Sequence, residues 1–291
     1  MTDGGSMISL HEARYVYPTG NVVALDGLSV EIGAGEVVGV LGQNGSGKTT
    51  FTKLLNGLLK PTSGRVVVAG RDTSQHTVQA LAAHVGYVFQ NPNHQLFATT
   101  VAEELAFGPR NIGCTPHEVE ERVAEAVEFF DLGAIVKSHP YRISFPLRKL
   151  VGIASIFTMR PRVFVLDEPT TGQDHRTTSV INRLIQRLGE RGDTVICVSH
   201  DMPLIALVTK RALVMWNGQL IADGTPQEVF SDRAAMERTH LTPPQITRLS
   251  MRIPGREGRP VVLSIAELVA EVRDATPVPL STASPENQVR P

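Results

Sequence analysis

Residues 42–49, GQNGSGKT, have the residue types and spacing of a loop that binds phosphate groups. Glycines let backbone N–H groups approach phosphate oxygens without an intervening Cβ. Lys48 supplies a point charge for the outer phosphates, and Thr49 supplies a hydroxyl for Mg²⁺. An apolar run, EVVGVLG, precedes the loop and a helical pattern follows it. The sequence therefore predicts a nucleoside triphosphate site; the alternative is a glycine-rich turn that only opens a helix.

Acidic and imidazole side chains end two further apolar runs. The run VFVLDE, residues 163–168, delivers Asp167 to a metal ion and Glu168 beside it. A carboxylate at the second position can orient and activate a water molecule. The run VICVSH ends at His200, whose imidazole could contact a γ-phosphate or be purely structural. Together these residues favour hydrolysis of the bound nucleotide.

Buried strands must carry these groups. The runs EVVGVLG, VGYVFQ, PRVFVLDE and DTVICVSH are continuously apolar, as strands buried on both faces of a parallel sheet are. VALDGLSVEI alternates instead, which predicts an edge strand of a half-exposed antiparallel sheet, and GRVVVAG predicts another alternating strand. We therefore expect an α/β chain whose core is a parallel sheet accompanied by an antiparallel β subdomain.

Helical segments complete the organisation. KTTFTKLLNGLL predicts a helix after the phosphate loop, and Thr115 and Pro116 predict the cap and first turn of another. We expect a mainly helical insertion at about 91–145 and a small helical appendage at 241–273. The predicted loose ends are residues 1–6 and the Pro/Ser-rich residues 274–291.

Composition excludes several classes of function. The chain has 291 residues, 28 basic and 29 acidic, so no basic field points to nucleic acid. Cys114 and Cys197 form no CxxC pair, which suits a reducing compartment. No apolar run approaches the roughly 20 residues of a membrane span, and the N-terminus lacks the pattern of a secretory signal. If the protein works at a membrane, we expect another component to anchor it.

Taken in order, the motifs resemble the nucleotide-binding subunit of ABC transporters. The matching segments are GQNGSGKT, VFQNP with Gln90, residues 143–147, VFVLDEPT, TTGQD with Asp174, and VSHD with His200. The segment VFQNPNHQLFATTVAEELAFGPRNIG and the C-terminal residues narrow the resemblance to the energy-coupling factor and cobalt/nickel uptake ATPases, which import vitamins and metal ions. The resemblance implies a P-loop NTPase (RecA-like) core in an ATP-binding domain at 7–240, and a dimerisation segment at 241–273.

The resemblance also implies a role for each matching residue. Catalysis falls to Glu168, His200 and Lys48, and Mg²⁺ to Thr49, Gln90 and Asp167. Tyr17 is expected to stack on adenine, with Tyr15 as the alternative. The ATP-binding residues implied are Tyr17, Gly42, Gln43, Asn44, Gly45, Ser46, Gly47, Lys48, Thr49, Thr50 and Gln90.

The implied partners are a second ATPase subunit, a transmembrane coupling protein and a substrate-binding membrane subunit, with no nucleic acid. Gln90 and the loop after it are expected to sense the membrane partner. The implied location is the cytoplasmic face of the cell membrane, and the family's two ATPase subunits close head to tail around two ATP molecules.

One motif departs from the family. The signature is close to Leu-Ser-Gly-Gly-Gln, but residues 143–147 here are ISFPL. Phe145 adds bulk and Pro146 removes an N–H donor, so the helix is expected to survive, capped by Ser144, while phosphate contact fails. Arg148 and Lys149 could compensate in part by charge.

This segment serves the ATP bound to the partner, whereas residues 42–49, Glu168 and His200 serve the chain's own ATP. The sequence therefore predicts an asymmetric heterodimer in which a different chain supplies an intact signature. The rival readings are a soluble ABC-type ATPase, a P-loop small-molecule kinase, and a catalytically weak, nucleotide-gated structural subunit.

Overall fold

Two sheets and a set of flanking helices build the chain. The computed structural model describes residues 6–254, 256 and 258–274. In chain order the strands are β1 Ser6–Tyr17, β2 Val22–Gly33, β3 Val37–Leu41, β4 Ser63–Val68, β5 Arg71–Asp72, β6 Val85–Val88, β7 Val163–Asp167, β8 Thr194–Val198, β9 Arg211–Trp216 and β10 Gln219–Gly224.

The helices lie between these strands and, towards the C-terminus, after β10. They are α1 Lys48–Leu55, α2 Val78–Ala82, α3 Val101–Asn111, α4 Pro116–Phe129, α5 Phe145–Phe157, α6 His175–Glu190, α7 Met202–Val208, α8 Pro226–Ser231, α9 Arg233–Thr239, α10 Gln245–Ser250 and α11 Ile265–Asp274. Single 3₁₀ turns occur at Thr19–Asn21, Pro92–His94, Gly133–Ile135 and Pro140–Arg142.

The larger sheet has six strands in the order β10-β9-β3-β8-β7-β6. Its central strands pair in parallel, and every residue of β3, β6, β7 and β8 is buried. Continuous apolar runs suit this position because both faces of the sheet are covered. Parallel pairing also brings the carboxyl ends of these strands to one edge, where ligands bind in open α/β sheets.

The smaller sheet is antiparallel, in the order β2-β1-β4-β5. Its strand β2 lies at the edge and alternates in burial, as VALDGLSVEI predicts. Apolar side chains of β1, β2 and β4 pack with one face of the larger sheet and with α1, through residues such as Leu10, Leu25 and Phe51. This packing fixes the antiparallel sheet beside the phosphate loop.

Helices α3, α4 and α5 follow β6 and pack on one another; α3 and α4 lie within the predicted insertion at about 91–145, and α5 begins at its end. Thr115 caps α4, with a reciprocal contact from Glu118, and Pro116 occupies the first turn. Phe130 and Phe157 join this group to the core that covers the other face of the larger sheet. The bounds of the insertion stay a prediction. The helical group after β6 extends to Phe157, the end of α5.

The predicted fold class is confirmed: a P-loop-type α/β core carries an antiparallel sheet and helical segments. Ser6 corrects the predicted loose N-terminus because it already pairs within β1, and Asp274 corrects the predicted tail because it ends α11. Residues 1–5 and 275–291 lie outside the described residues, so disorder there stays a prediction. Within the described ranges, no helix is both long and apolar enough to cross a bilayer.

Candidate active site

The phosphate loop joins β3 to α1, and its glycines are required by their surroundings. A Cβ on Gly42 would lie 2.4 Å from the Met215 carbonyl oxygen, and Gly42 has φ +149°. Gly47, at φ +104°, would place a Cβ 2.6 Å from the Ala24 carbonyl oxygen. Gly47 is also the N-cap of α1 and offers no side chain to the first-turn N–H groups. These donors are therefore left to a ligand, as at other helix N-termini that bind phosphate.

Two polar side chains of the loop are enclosed by protein. The Lys48 ammonium is buried and donates to the carbonyl oxygens of Gly42 and Gln43, at 2.7 and 2.8 Å. Burial lowers its pKa, although the carboxylates of Glu168 and Asp167 oppose that change. The Ser46 hydroxyl is buried with no hydrogen-bond partner among the described residues. A phosphate group would satisfy both side chains.

A cleft of about 340 Å³ lies over this loop. It brings together most of the residues that the sequence analysis assigns to the nucleotide. Its predicted members are Tyr17, Asn44, Gly45, Gly47, Lys48, Thr49, Thr50, Gln90, Asp167 and Glu168. Gly42, Gln43 and Ser46 shape the loop beneath it.

Glu168 follows β7 in a strained backbone conformation, with φ +50°. A non-glycine residue in such a sparsely populated region costs about 1–3 kcal/mol, so its surroundings must hold it there. The Glu168 amide donates to the Val198 carbonyl oxygen at 2.9 Å, and the Thr171 hydroxyl donates to Oε2 at 3.1 Å. Its side chain is nearly buried yet reaches the cleft. The turn therefore presents one fixed carboxylate beside the phosphate loop.

His200 lies beside this carboxylate at the end of β8. Its Nδ1 is 2.7 Å from Glu168 Oε2, while the imidazole remains two-thirds exposed. It lies outside the 340 Å³ cleft and lines a neighbouring one with Thr171 and Pro243. The structure thus brings two of the three predicted catalytic side chains into direct contact.

Asp167 is the last residue of β7 and is 4% exposed. Burial raises its pKa; the hydrogen bond from the Tyr87 hydroxyl, at 2.9 Å, opposes this and the neighbouring Glu168 carboxylate adds to it. A bound cation would favour the ionised form. Thr49 and Gln90 line the same cleft, so the set contains a hydroxyl, an amide and a carboxylate oxygen. Such oxygen ligands fit Mg²⁺.

The two candidate tyrosines occupy different places. Tyr17 lines the cleft, and its hydroxyl lies 3.2 Å from the Thr50 hydroxyl on α1. Tyr15 packs against the core, with its ring 4.9 Å from that of Tyr17 in an edge-to-face arrangement. Of the two rings, Tyr17 is therefore the one available to a base in the cleft.

Sequence reasoning missed an apolar wall beside Tyr17. Val22, Val23 and Ala24 line the cleft, and the two valines are exposed. Exposed valines at the start of a strand, just after a tyrosine and a Pro-Thr-Gly turn, were the available signal. Tyr87 was missed because a tyrosine in a buried strand is ordinarily a packing residue.

The signature segment forms the start of α5, but one expectation for it, the cap at Ser144, is wrong. Pro146 occupies the first turn, and Ser144 is the N-cap residue, as predicted. The Ser144 side chain, however, accepts no capping hydrogen bond, so the expected cap is wrong. The Phe145 ring lies 3.2 Å from the point where a Cβ on Gly172 would stand, and so covers that part of the chain.

Charge compensation by Lys149 is also wrong. Lys149 is 1% exposed, and its ammonium donates inward to the carbonyl oxygens of Glu168 and Thr171. Arg148 instead donates to Asn93 Oδ1 at 2.8 Å, with its guanidinium near the rings of Tyr141 and Phe145. An i and i+4 relation places Phe145 and Lys149 on one face of α5, against residues 168–172.

Comparison with known proteins places this geometry in a family. The fold and loop define the class of P-loop nucleoside triphosphatases. The ABC transporter family pattern matches residues 25–171. An energy-coupling factor transporter ATP-binding protein, EcfA, of Methanothermobacter thermautotrophicus is 42% identical over 85% of this chain and 80% of that protein. The chain belongs to the ABC transporter family, and its class is that of the ABC-type ATPases.

Two further similarities support the narrower resemblance. The chain superposes on CbiO1 of Clostridium perfringens, described as part of an ABC transporter complex, with a TM-score of 0.71 and 31% identity. The superposition covers 87% of this chain and 97% of that one. An ABC transporter ATP-binding protein of Caldanaerobacter subterraneus is 43% identical over 92% of this chain, which spans 46% of that longer protein. The resemblance to energy-coupling factor ATPases is confirmed.

Proposed function

We propose that this chain is the ATP-hydrolysing subunit of an energy-coupling factor importer for vitamins or metal ions, and that it works in an asymmetric ATPase heterodimer. The observation that carries the proposal is the contrast within the chain. The cleft over residues 42–49 brings together most of the predicted binding and catalytic groups, with His200 in contact with Glu168, whereas the signature segment has Phe145 and Pro146.

In this proposal the chain binds its own ATP through groups already in place. Tyr17 stacks on the adenine, with Val22 and Val23 beside it. The phosphate chain replaces the carbonyl contacts of Lys48 and takes the first-turn N–H groups of α1. Thr49, Gln90 and Asp167 would hold Mg²⁺, which neutralises charge on the outer phosphates when bound.

Hydrolysis needs a positioned base. Glu168 accepts a proton from the attacking water, and its fixed backbone turn aims the carboxylate at the cleft. His200 orients Glu168 through the 2.7 Å contact and can turn to the γ-phosphate, because its ring is largely exposed. Substrate selection belongs to a separate membrane subunit, and the chain acts at the cytoplasmic face of the membrane.

The signature segment decides the asymmetry. Phosphate recognition there requires close backbone approach, which the Phe145 side chain obstructs, and a donor that Pro146 lacks. A second ATPase with an intact signature completes this chain's own site, while this chain leaves the partner's site impaired. Loss of one preorganised donor at a developing charge costs about 3 kcal/mol, or roughly 10²- to 10³-fold in rate.

The experiment is purification of the tagged chain from detergent-solubilised membranes, followed by identification and ATPase assay of the recovered assembly. We expect a second ATPase with a Leu-Ser-Gly-Gly-Gln-type signature and an integral membrane coupling protein in fixed proportion. Recovery of the chain without any integral membrane protein would contradict the transport assignment. Recovery of an active assembly with only this ATPase would contradict the asymmetry.

A further inference from the structure

The signature helix contacts the catalytic turn of its own chain through one buried cation. Lys149 lies one turn into α5, is 1% exposed, and has its ammonium between the carbonyl oxygens of Glu168 and Thr171, the latter at 3.3 Å. Among the described residues it forms no salt bridge with a carboxylate. Its hydrogen bonds therefore go to the backbone of the turn that carries Glu168.

This turn needs external support because Glu168 has φ +50°. Each part of Glu168 has its own contact. The amide is bound to Val198 and the carboxylate to Thr171 and His200, while the carbonyl accepts from Lys149 and, at 3.4 Å, from the Thr171 amide. Lys149 also binds the Thr171 carbonyl, so it joins the backbones of Glu168 and Thr171, whose side chains are hydrogen-bonded to each other.

Burial of the Lys149 ammonium is unfavourable unless hydrogen bonds replace its lost hydration. Desolvation lowers its pKa to about 8, although the carboxylates of Glu168 and Asp167 act to raise it. An ion in such a place must be satisfied by fixed dipoles, and two carbonyl oxygens supply them. A helix that only needed to pack on β7 would accept an apolar side chain here.

We propose that Lys149 is a positioning residue that holds the Glu168 turn in its strained conformation, and so sets the place of the catalytic carboxylate. This role rests on the proposed function, since it assumes that Glu168 is the base. Lys149 also gives the signature helix a direct connection to the chain's own hydrolytic site, independent of phosphate contact by residues 143–147.

The test is a double-mutant cycle in the purified assembly, with kcat and KM for ATP as the readouts. Lys149→Met keeps an unbranched apolar stem, one atom shorter than lysine, and removes the donors. We expect kcat to fall by about 10- to 100-fold, the scale of a small misplacement of a reacting group, with KM changed by less than about 2-fold. In the Glu168→Gln background the same substitution should have no further effect, because positioning a missing base is without consequence.

Two variants control this cycle. Lys149→Gln retains a neutral donor and should recover most of kcat. Lys60 donates in the same way to the carbonyl oxygens of Thr73 and His76, the latter at 2.6 Å, in a loop that carries no site residue. Lys60→Met should leave kcat and KM unchanged. If Lys149→Met does not fold, Lys149→Gln carries the cycle, with a decrease of a few-fold that disappears in the Glu168→Gln background.

The outcomes separate this inference from the proposed function. An unchanged kcat for Lys149→Met, beside an inactive Glu168→Gln, overturns the positioning role alone. An equal loss in both backgrounds, or a parallel loss of ATP affinity, also overturns it and indicates a general packing role. An active Glu168→Gln instead contradicts the assignment of the base.

Discussion

Two helix starts in this molecule share the absence of a side-chain cap and differ in their surface chemistry. Gly47 precedes α1 and Ser144 precedes α5, and neither side chain caps its helix. At α1 the glycines leave room for an anion, and Lys48 is enclosed beside them. At α5 the first turn contains Phe145 and Pro146. A helix start can thus retain its structural role while the residues that recognise phosphate are lost.

The two helices also lie on different sides of Glu168. Residues of α1 contact the cleft that contains Glu168, whereas α5 contacts the Glu168 turn from its buried side. The chain's own site is therefore supported from both sides. The signature segment has a serine that does not cap its helix and an aromatic ring that lies over Gly172.

The largest expected effect removes the base of the intact site. Glu168→Gln in the assembly should lower kcat by roughly 10²- to 10⁴-fold, the usual contribution of a positioned general base. ATP binding should be retained because Lys48 and the loop are unchanged. The measurement is steady-state hydrolysis beside equilibrium binding of ATP. Glu190→Gln, at the exposed end of α6, is the matched control. An active Glu168→Gln enzyme would remove the proposed difference between the chain's own site and its signature segment.

Restoring the signature should have the next largest effect. Phe145→Gly, Pro146→Gly and Leu147→Gln together should raise ATP turnover by at least about 10-fold, within the 10²- to 10³-fold scale of a recovered donor. The measurement is turnover per ATPase pair. Leu147→Gln alone restores the polar side chain without the backbone access, and should change little. If the triple variant gains nothing, another feature limits the damaged site.

Lys48→Met tests the phosphate loop itself. The loss of a charge-assisted contact costs about 1.5–3 kcal/mol, which corresponds to roughly 10- to 100-fold weaker ATP binding. Calorimetric titration of the chain with ATP measures the change. Lys53→Met, on the same helix but outside the cleft lining, should bind normally. Equal losses in the two variants would show that general charge, rather than the loop, holds the nucleotide.

A smaller effect is expected at the adenine end of the cleft. Tyr17→Leu should weaken ATP binding by about 10-fold, since stacking of a base on an aromatic ring is worth roughly 1–3 kcal/mol. Tyr17→Phe retains the ring and should bind almost as well as the wild type. Tyr15→Leu should affect stability more than affinity, because Tyr15 packs on the core. The opposite ranking of the two leucine variants would move the base to Tyr15.

Much of the fold follows from the sequence because its signals are local. Continuous apolar runs identify the parallel strands, and their shared carboxyl edge predicts that the phosphate loop, Asp167 and Glu168 meet. The capping pattern at Thr115 is equally local and is found as expected. The position of Tyr17 needed the structure, because Tyr15 and Tyr17 share one strand face and differ only in what lies opposite each.

The sequence does not predict where a side chain at the start of a helix points. In the sequence, Lys149 is typical of a surface charge near the signature. In the structure it packs against residues 168–172 and is a buried hydrogen-bond donor. Ser144 stands at the N-cap position without capping. The burial of Lys149 depends on how two distant segments pack, which no local pattern specifies.

ATP turnover by the purified chain alone, compared at equal chain concentration with the assembly recovered from membranes, is the most direct test of the asymmetric heterodimer. We expect the chain alone to bind ATP but to hydrolyse it at least about 10²-fold more slowly, since no intact signature completes its site. Rapid hydrolysis by the chain alone, at the rate of the assembly, would contradict it.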